Sequence, residues 1–191
     1  LGSIDANTTA SAIDLAATGN VTLNASQGRI YRTGTGVTNV TAASTSINAP
    51  LGVDLGGNVS GADIDVTWTT GDYQLTTLTA TNVTLNVTNG GIVDTNGSAV
   101  NITAGSVTLN AADGIGSSKP IDTAISTLTA TTGGTGHLQI NNTGNLTVTS
   151  VQNTGTGNIV LTNSGNLTVN SATTAGGTFA ANATGALVTG G

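Results

Sequence analysis

The chain has 191 residues, of which Thr, Gly, Ala, Asn and Ser make up 125; charged residues are 6 % and aromatic residues 2 %. Cysteine is absent, the net charge is −6, and Arg29, Arg32 and Lys119 are the only cations besides the single His137. Three cations exclude a basic nucleic-acid surface, the lack of thiols excludes disulfides and Cys metal sites, and no apolar run approaches the roughly 20 residues of a membrane-spanning helix.

So much Gly, Ser and Asn suits a solvated linker, but 16 Val, 12 Ile and 15 Leu recur among the threonines at ordered spacing, which disordered chains lack. In Val83-Thr84-Leu85-Asn86-Val87-Thr88 the aliphatic and polar residues alternate, and Leu138-Gln139-Ile140 and Leu146-Thr147-Val148 do the same. Period two over four to six residues, bounded by Gly and Asn, predicts half-buried strands ending in sharp corners. No 3.6-residue periodicity competes with it, and Glu is absent.

From the N-terminus the pattern divides into coils at 3–19, 20–36, 37–58, 59–82, 83–106, 107–136, 137–157 and 158–178, with a remnant at 179–191. The phrase Val-Thr-Leu-Asn recurs at Val21–Asn24, Val83–Asn86 and Val107–Asn110, the last two copies 24 residues apart. Residues 137–157 and 158–178 match at eight positions when offset by 21, among them Gly144–Val148 against Gly165–Val169. Gly-Asn-aliphatic recurs at Gly19, Gly57, Gly144, Gly157 and Gly165. Two irregular excursions are expected, near 59–73, which holds Trp68 and Tyr73, and near 113–122, which holds Lys119 and Pro120.

Short strands with regular corners suit a sandwich, a barrel or a solenoid. Self-similarity near 20–24 residues, small aliphatic inward residues and runs of Asn and Thr able to stack on their own kind favour the solenoid. The expected fold is therefore all-β: a parallel β-helix of about eight to nine coils of 20–24 residues, filling 1–191 as a single block.

The phrases VTLNAADGIGSSKPIDTAISTLTATTGG (107–134) and NNTGNLTV (141–148) resemble the repeat regions of bacterial exoproteins of the filamentous haemagglutinin type. The resemblance covers most of the chain in style and is strongest from 105 to 175. It implies a right-handed parallel β-helix, export by two-partner secretion, and display as a rod for adhesion or contact. The secretion-directing N-terminal domain of that family is not evident here, so the resemblance implies a shaft more than an adhesive tip.

Candidate chemistry is sparse. Asp63 and Asp65 stand at i and i+2, so a strand projects both to one face, where two acids suit a sugar or a cation. A polysaccharide lyase also needs a basic cluster, and Arg29 and Arg32 lie some 30 residues away. Trp68 and Tyr73 are the pair to stack on a glycan, with Asp63 and Asp65 beside them. Gly56–Asp63 echoes a calcium-binding nonapeptide once, and one copy builds no ligand ladder. Thr-x-Thr pairs at Thr67, Thr79, Thr129, Thr147 and Thr154 suit a water-ordering face if they share a register. No catalytic residue, metal or cofactor is assigned. The expected role is a non-enzymatic structural segment of a secreted or cell-surface bacterial rod or fibre. Its expected partners are neighbouring repeats, identical subunits stacked end to end, and host or neighbouring-cell glycans; nucleic acid and membrane insertion are not expected. The alternative is a carbohydrate- or surface-binding solenoid, including an ice-binding-like one.

Overall fold

The computed structural model describes residues 5–7, 13–16, 19–24, 29–33, 38–41, 44–48, 52–54 and 56–190. Side chains are described from residue 59 onward and at a few earlier positions. The described residues form twenty strands and no helix, and every strand pair among them is parallel. Fifteen strands belong to one continuous sheet.

One column of paired residues shows how the chain winds. Ile64 pairs with Val83, Val83 with Val107, Val107 with Leu128, Leu128 with Val148, Val148 with Val169, and Val169 with Thr189. Successive members lie 19 to 24 residues apart, so each turn of backbone rests on the one before it, as in a β-solenoid. About seven turns are traced this way, slightly fewer than the eight or nine expected. Asn20–Asn24 and Ser44–Asn48 join the same column through Val21 and Thr45, but their connecting residues lie outside the described ones.

Strand alternation builds the core. Two residues on, Leu23, Ile47, Val66, Leu85, Leu109, Ala130, Val151 and Ala172 form a second inward column. A third contains Tyr73, Ile92, Ile115, Leu138, Ile159 and Phe179. Ile64, Leu85, Leu109, Ile115, Leu128, Val148 and Ile159 are all fully or almost fully buried. Burying each such aliphatic side chain contributes about 1.5–3 kcal/mol. All three Val-Thr-Leu-Asn copies occupy one register, and the Gly144–Val148 repeat places Leu146 on Leu167 and Val148 on Val169.

Two expectations are corrected. Residues 59–73 open with no excursion: Gly56–Trp68 is a single 13-residue strand, in register with Thr77–Val87 throughout that strand's length. Nor is 107–136 a single coil. Val107 and Leu128 are one turn apart, whereas Val107 and His137 begin different sides of the turn, so the two phrases are not equivalent starting points. The excursion near 113–122 is present but shorter. Ile115 stays stacked between Ile92 and Leu138, and the chain leaves at 116–120 before Ile121 rejoins against Ile140. A second excursion, 95–100, lies one turn earlier, between Asp94 and the strand that starts at Ile102.

Thr45 sits in the aliphatic column between Val21 and Ile64, fully buried, and its hydroxyl has no hydrogen-bond partner among the described residues. Thr45→Val keeps the shape and removes the stranded hydroxyl, so it is expected to stabilise the fold by about 1 kcal/mol. A higher urea midpoint at unchanged slope checks this.

Candidate functional site

The corners determine what the polar residues do. A strand's N–H and C=O groups point along the axis to adjacent turns, but a corner residue leaves that ladder and needs another partner. Asparagine at the corner supplies it. Asn145 Oδ1 accepts the N–H of Asn166 at 3.0 Å, and Asn166 Oδ1 accepts that of Ala186 at 2.9 Å. At another corner His137 Nδ1 accepts from Asn158 N at 2.9 Å, and Asn158 Oδ1 from Thr178 N at 2.9 Å. Threonines just past the strands work in the opposite direction: Thr95, Thr154 and Thr184 donate their hydroxyls to carbonyls of the previous turn. At Gly144, Gly157 and Gly165 the Gly-Asn-aliphatic phrase thus marks a corner, with the Asn side chain accepting a backbone N–H one turn on, whereas at Gly57 the phrase lies inside a strand.

Asparagine also replaces aliphatics inside the tube. The column containing Leu78 and Ile102 continues as Thr123, Asn142 and Asn163, all buried. Thr123 Oγ1 donates to Asn142 Oδ1 at 2.9 Å, Asn142 Nδ2 to Asn163 Oδ1 at 2.8 Å, and Asn163 Nδ2 to the carbonyl of Asn166 at 2.9 Å. Each buried amide is satisfied, as its burial requires.

The structure separates the four residues expected to contact glycan. Trp68 and Tyr73 are 4 % and 6 % exposed, because they stand in phase with inward Ile64, Val66 and Leu75. Their rings meet edge to face at 5.3 Å, and Trp68 Nε1 donates to Gly71 O at 2.9 Å, so the pair fills the corner from inside. They are core residues, and no glycan can stack on them. Asp63 and Asp65 do share the outer face. Asp63 accepts from Asn82 Nδ2 at 2.8 Å, and Asp65 is exposed between Ser46 and Thr84 in register.

On that outer face Thr84, Thr108 and Thr129 stack in one column, and Thr127, Thr147 and Thr168 in the next. Among the described residues no Thr-x-Thr pair has both members in such a column: Thr129 stacks on Thr108, but Thr131 pairs with Asn110 and Gln152. The columns were hidden because their members come from different phrases and align only once the turns are paired.

The two excursions meet at a clasp. Asp94 follows Leu75 in an inward column, and its side chain is fully buried. Lys119 Nζ contacts Asp94 Oδ2 and lies 3.9 Å from Asp122 Oδ2. Asn101 Nδ2 donates to Asp94 Oδ1 at 2.7 Å, and the backbone N–H of Asn96 donates to the same oxygen at 2.9 Å. Burial pushes the Asp94 carboxyl up, but Lys119, Asn101 and Asn96 together hold it below the ordinary value. Beside the clasp runs a groove of about 310 Å³ that includes Ser98, Val100, Asp122, Asn141 and Thr162. Sequence reading passed over Asp94 and Asn101; the signal was an acid in phase with Ile92 at an inward position.

A second groove, of about 370 Å³, gathers Asp72, Asp113, Ser117 and His137. Its polar side chains already serve the backbone: Asp72 accepts from Gly91 N, Asp113 from Thr135 N and Gly136 N, and Ser117 from His137 N. Among the described residues no three His, Asp, Glu or Cys side chains converge as metal ligands. No family model matches the chain, and no curated protein or solved structure matches it either.

Two outcomes follow from this geometry. Asn166→Ala removes the acceptor for the Ala186 N–H and is expected to cost about 1 kcal/mol, with faster hydrogen exchange at Ala186. Burial pushes Tyr73 from 10.0 up to about 12. The folded state then holds a proton that the unfolded chain releases. Stability from this group is complete below pH 10 and is lost as pH rises through about 12. Alkaline absorbance titration should show the Tyr73 phenolate appearing together with unfolding.

Proposed function

We propose that the chain is a non-enzymatic structural segment of a bacterial rod or fibre, secreted or displayed at the cell surface. The observation that carries this reading is the axial commitment of its polar groups. Corner Asn, Asp, His and Thr side chains bond to the backbone of an adjacent turn, so they hold the stack together. Such a stack lengthens by repetition, each turn contacting its neighbours alone, which is what a shaft requires. The resemblance of 107–134 and 141–148 to filamentous haemagglutinin repeats favours the same role and an extracellular setting. The strand Leu187–Thr189 pairs with Leu167–Val169 alone among the described strands, and Leu187 and Val188 are 46 % and 55 % exposed. That edge suits a further parallel strand, from neighbouring repeats or an identical subunit stacked end to end.

The threonine columns favour a second reading, in which the outer face binds carbohydrate or an ordered surface such as ice. Hydroxyls there repeat about every 4.8 Å along the axis, the strand spacing.

Electron microscopy of the purified chain is expected to show narrow rods, with no saturable binding on a glycan array and no inhibition of ice growth. Compact particles would overturn the shaft. Glycan or ice binding that is lost in Thr108→Lys with Thr129→Lys, at unchanged melting temperature, would establish the second reading in its place.

A further inference from the structure

We propose that Lys119 and Asp94 condense into an intramolecular amide, an isopeptide cross-link that locks the two excursions to each other. The clasp contains the parts this reaction needs. The amine and the carboxyl are in contact, held by a fold that brings residues 25 apart together, so the encounter is already made. The two carboxylate oxygens have different surroundings. Oδ2 faces the Lys119 amine, while Oδ1 receives two N–H donors, Asn101 Nδ2 at 2.7 Å and Asn96 N at 2.9 Å. When Nζ attacks Cγ, negative charge gathers on the oxygen that stays, and Oδ1 is the one already cradled.

Asn101 is a positioning residue. Its own Oδ1 accepts the N–H of Asp122 at 2.8 Å, which leaves Nδ2 to face Asp94, and its side chain is buried. Asp122 Oδ2 is a second carboxylate beside the amine, 3.9 Å from Nζ. The Asp94 side chain is fully buried and that of Lys119 is 42 % exposed; within their contact the ammonium hands one proton to Oδ2. The neutral amine then forms the N–C bond, the C–Oδ2 bond breaks, and Oδ2 leaves with two amine protons as water. An ammonium and a carboxylate thus become an amide plus one water, with no oxidant, reductant or net proton change.

The test does not depend on the role proposed above. Intact-mass spectrometry of the folded chain is expected to read one water below the sum of its residues, and digestion to release a branched peptide joining residues 94 and 119. Lys119→Arg keeps the charge and the contact but removes the condensing amine, so it is expected to show the full mass with an unchanged circular dichroism spectrum. Asp94→Asn is expected to lose ammonia in place of water. A full mass in the natural sequence overturns the proposal. So does a water-short mass that persists in Lys119→Arg, which ring closure at Asp113-Gly114 would produce.

Discussion

Everything in this molecule depends on the direction of its backbone hydrogen bonds. In a parallel stack each strand's N–H and C=O groups point along the axis, so every turn must be answered by another in register. Alternation then divides the side chains without further choice, one set into the tube and one set out. A shift of one residue would invert every turn. The unshifted register of Leu78–Val87 against Ile102–Ala111 shows how firmly the aliphatic set holds it.

The corners are where this constraint is broken and repaired. There the chain changes direction and its amides leave the ladder, and an unpaired buried amide costs as much as a lost hydrogen bond. Asn145, Asn158 and Asn166 repair it from outside, and Asn142 and Asn163 from within. Glycine at Gly144 adopts φ 99°, a conformation that side chains resist, which lets the backbone turn immediately before Asn145. The chain's large share of Asn, Thr and Gly therefore follows from the number of corners it must close.

The excursions at 95–100 and 116–120 belong to adjacent turns and emerge on one side of the tube. A buried carboxylate in an aliphatic column is costly unless it is fully bonded, and Asp94 is bonded by the only lysine, a buried Asn and a backbone N–H. The clasp fastens the two loops to each other, outside the inward columns.

The strands, their inward residues and the corner phrases could be read from the chain because each is local: alternation and Gly-Asn punctuation act over a few residues. The same alternation placed Trp68 with Ile64 and Val66, yet scarcity of aromatics drew attention to it as a surface residue. What local pattern could not supply was phase around the turn. Val107 and His137 both begin recognisable phrases, but only pairing shows that they start different sides. The threonine columns and the meeting of Asp94, Asn101, Lys119 and Asp122 also depend on which turn rests on which. Periodicity along one strand determines burial; the contacts between side chains some 20 residues apart are set by the register of the stack, which exists only once the chain has wound.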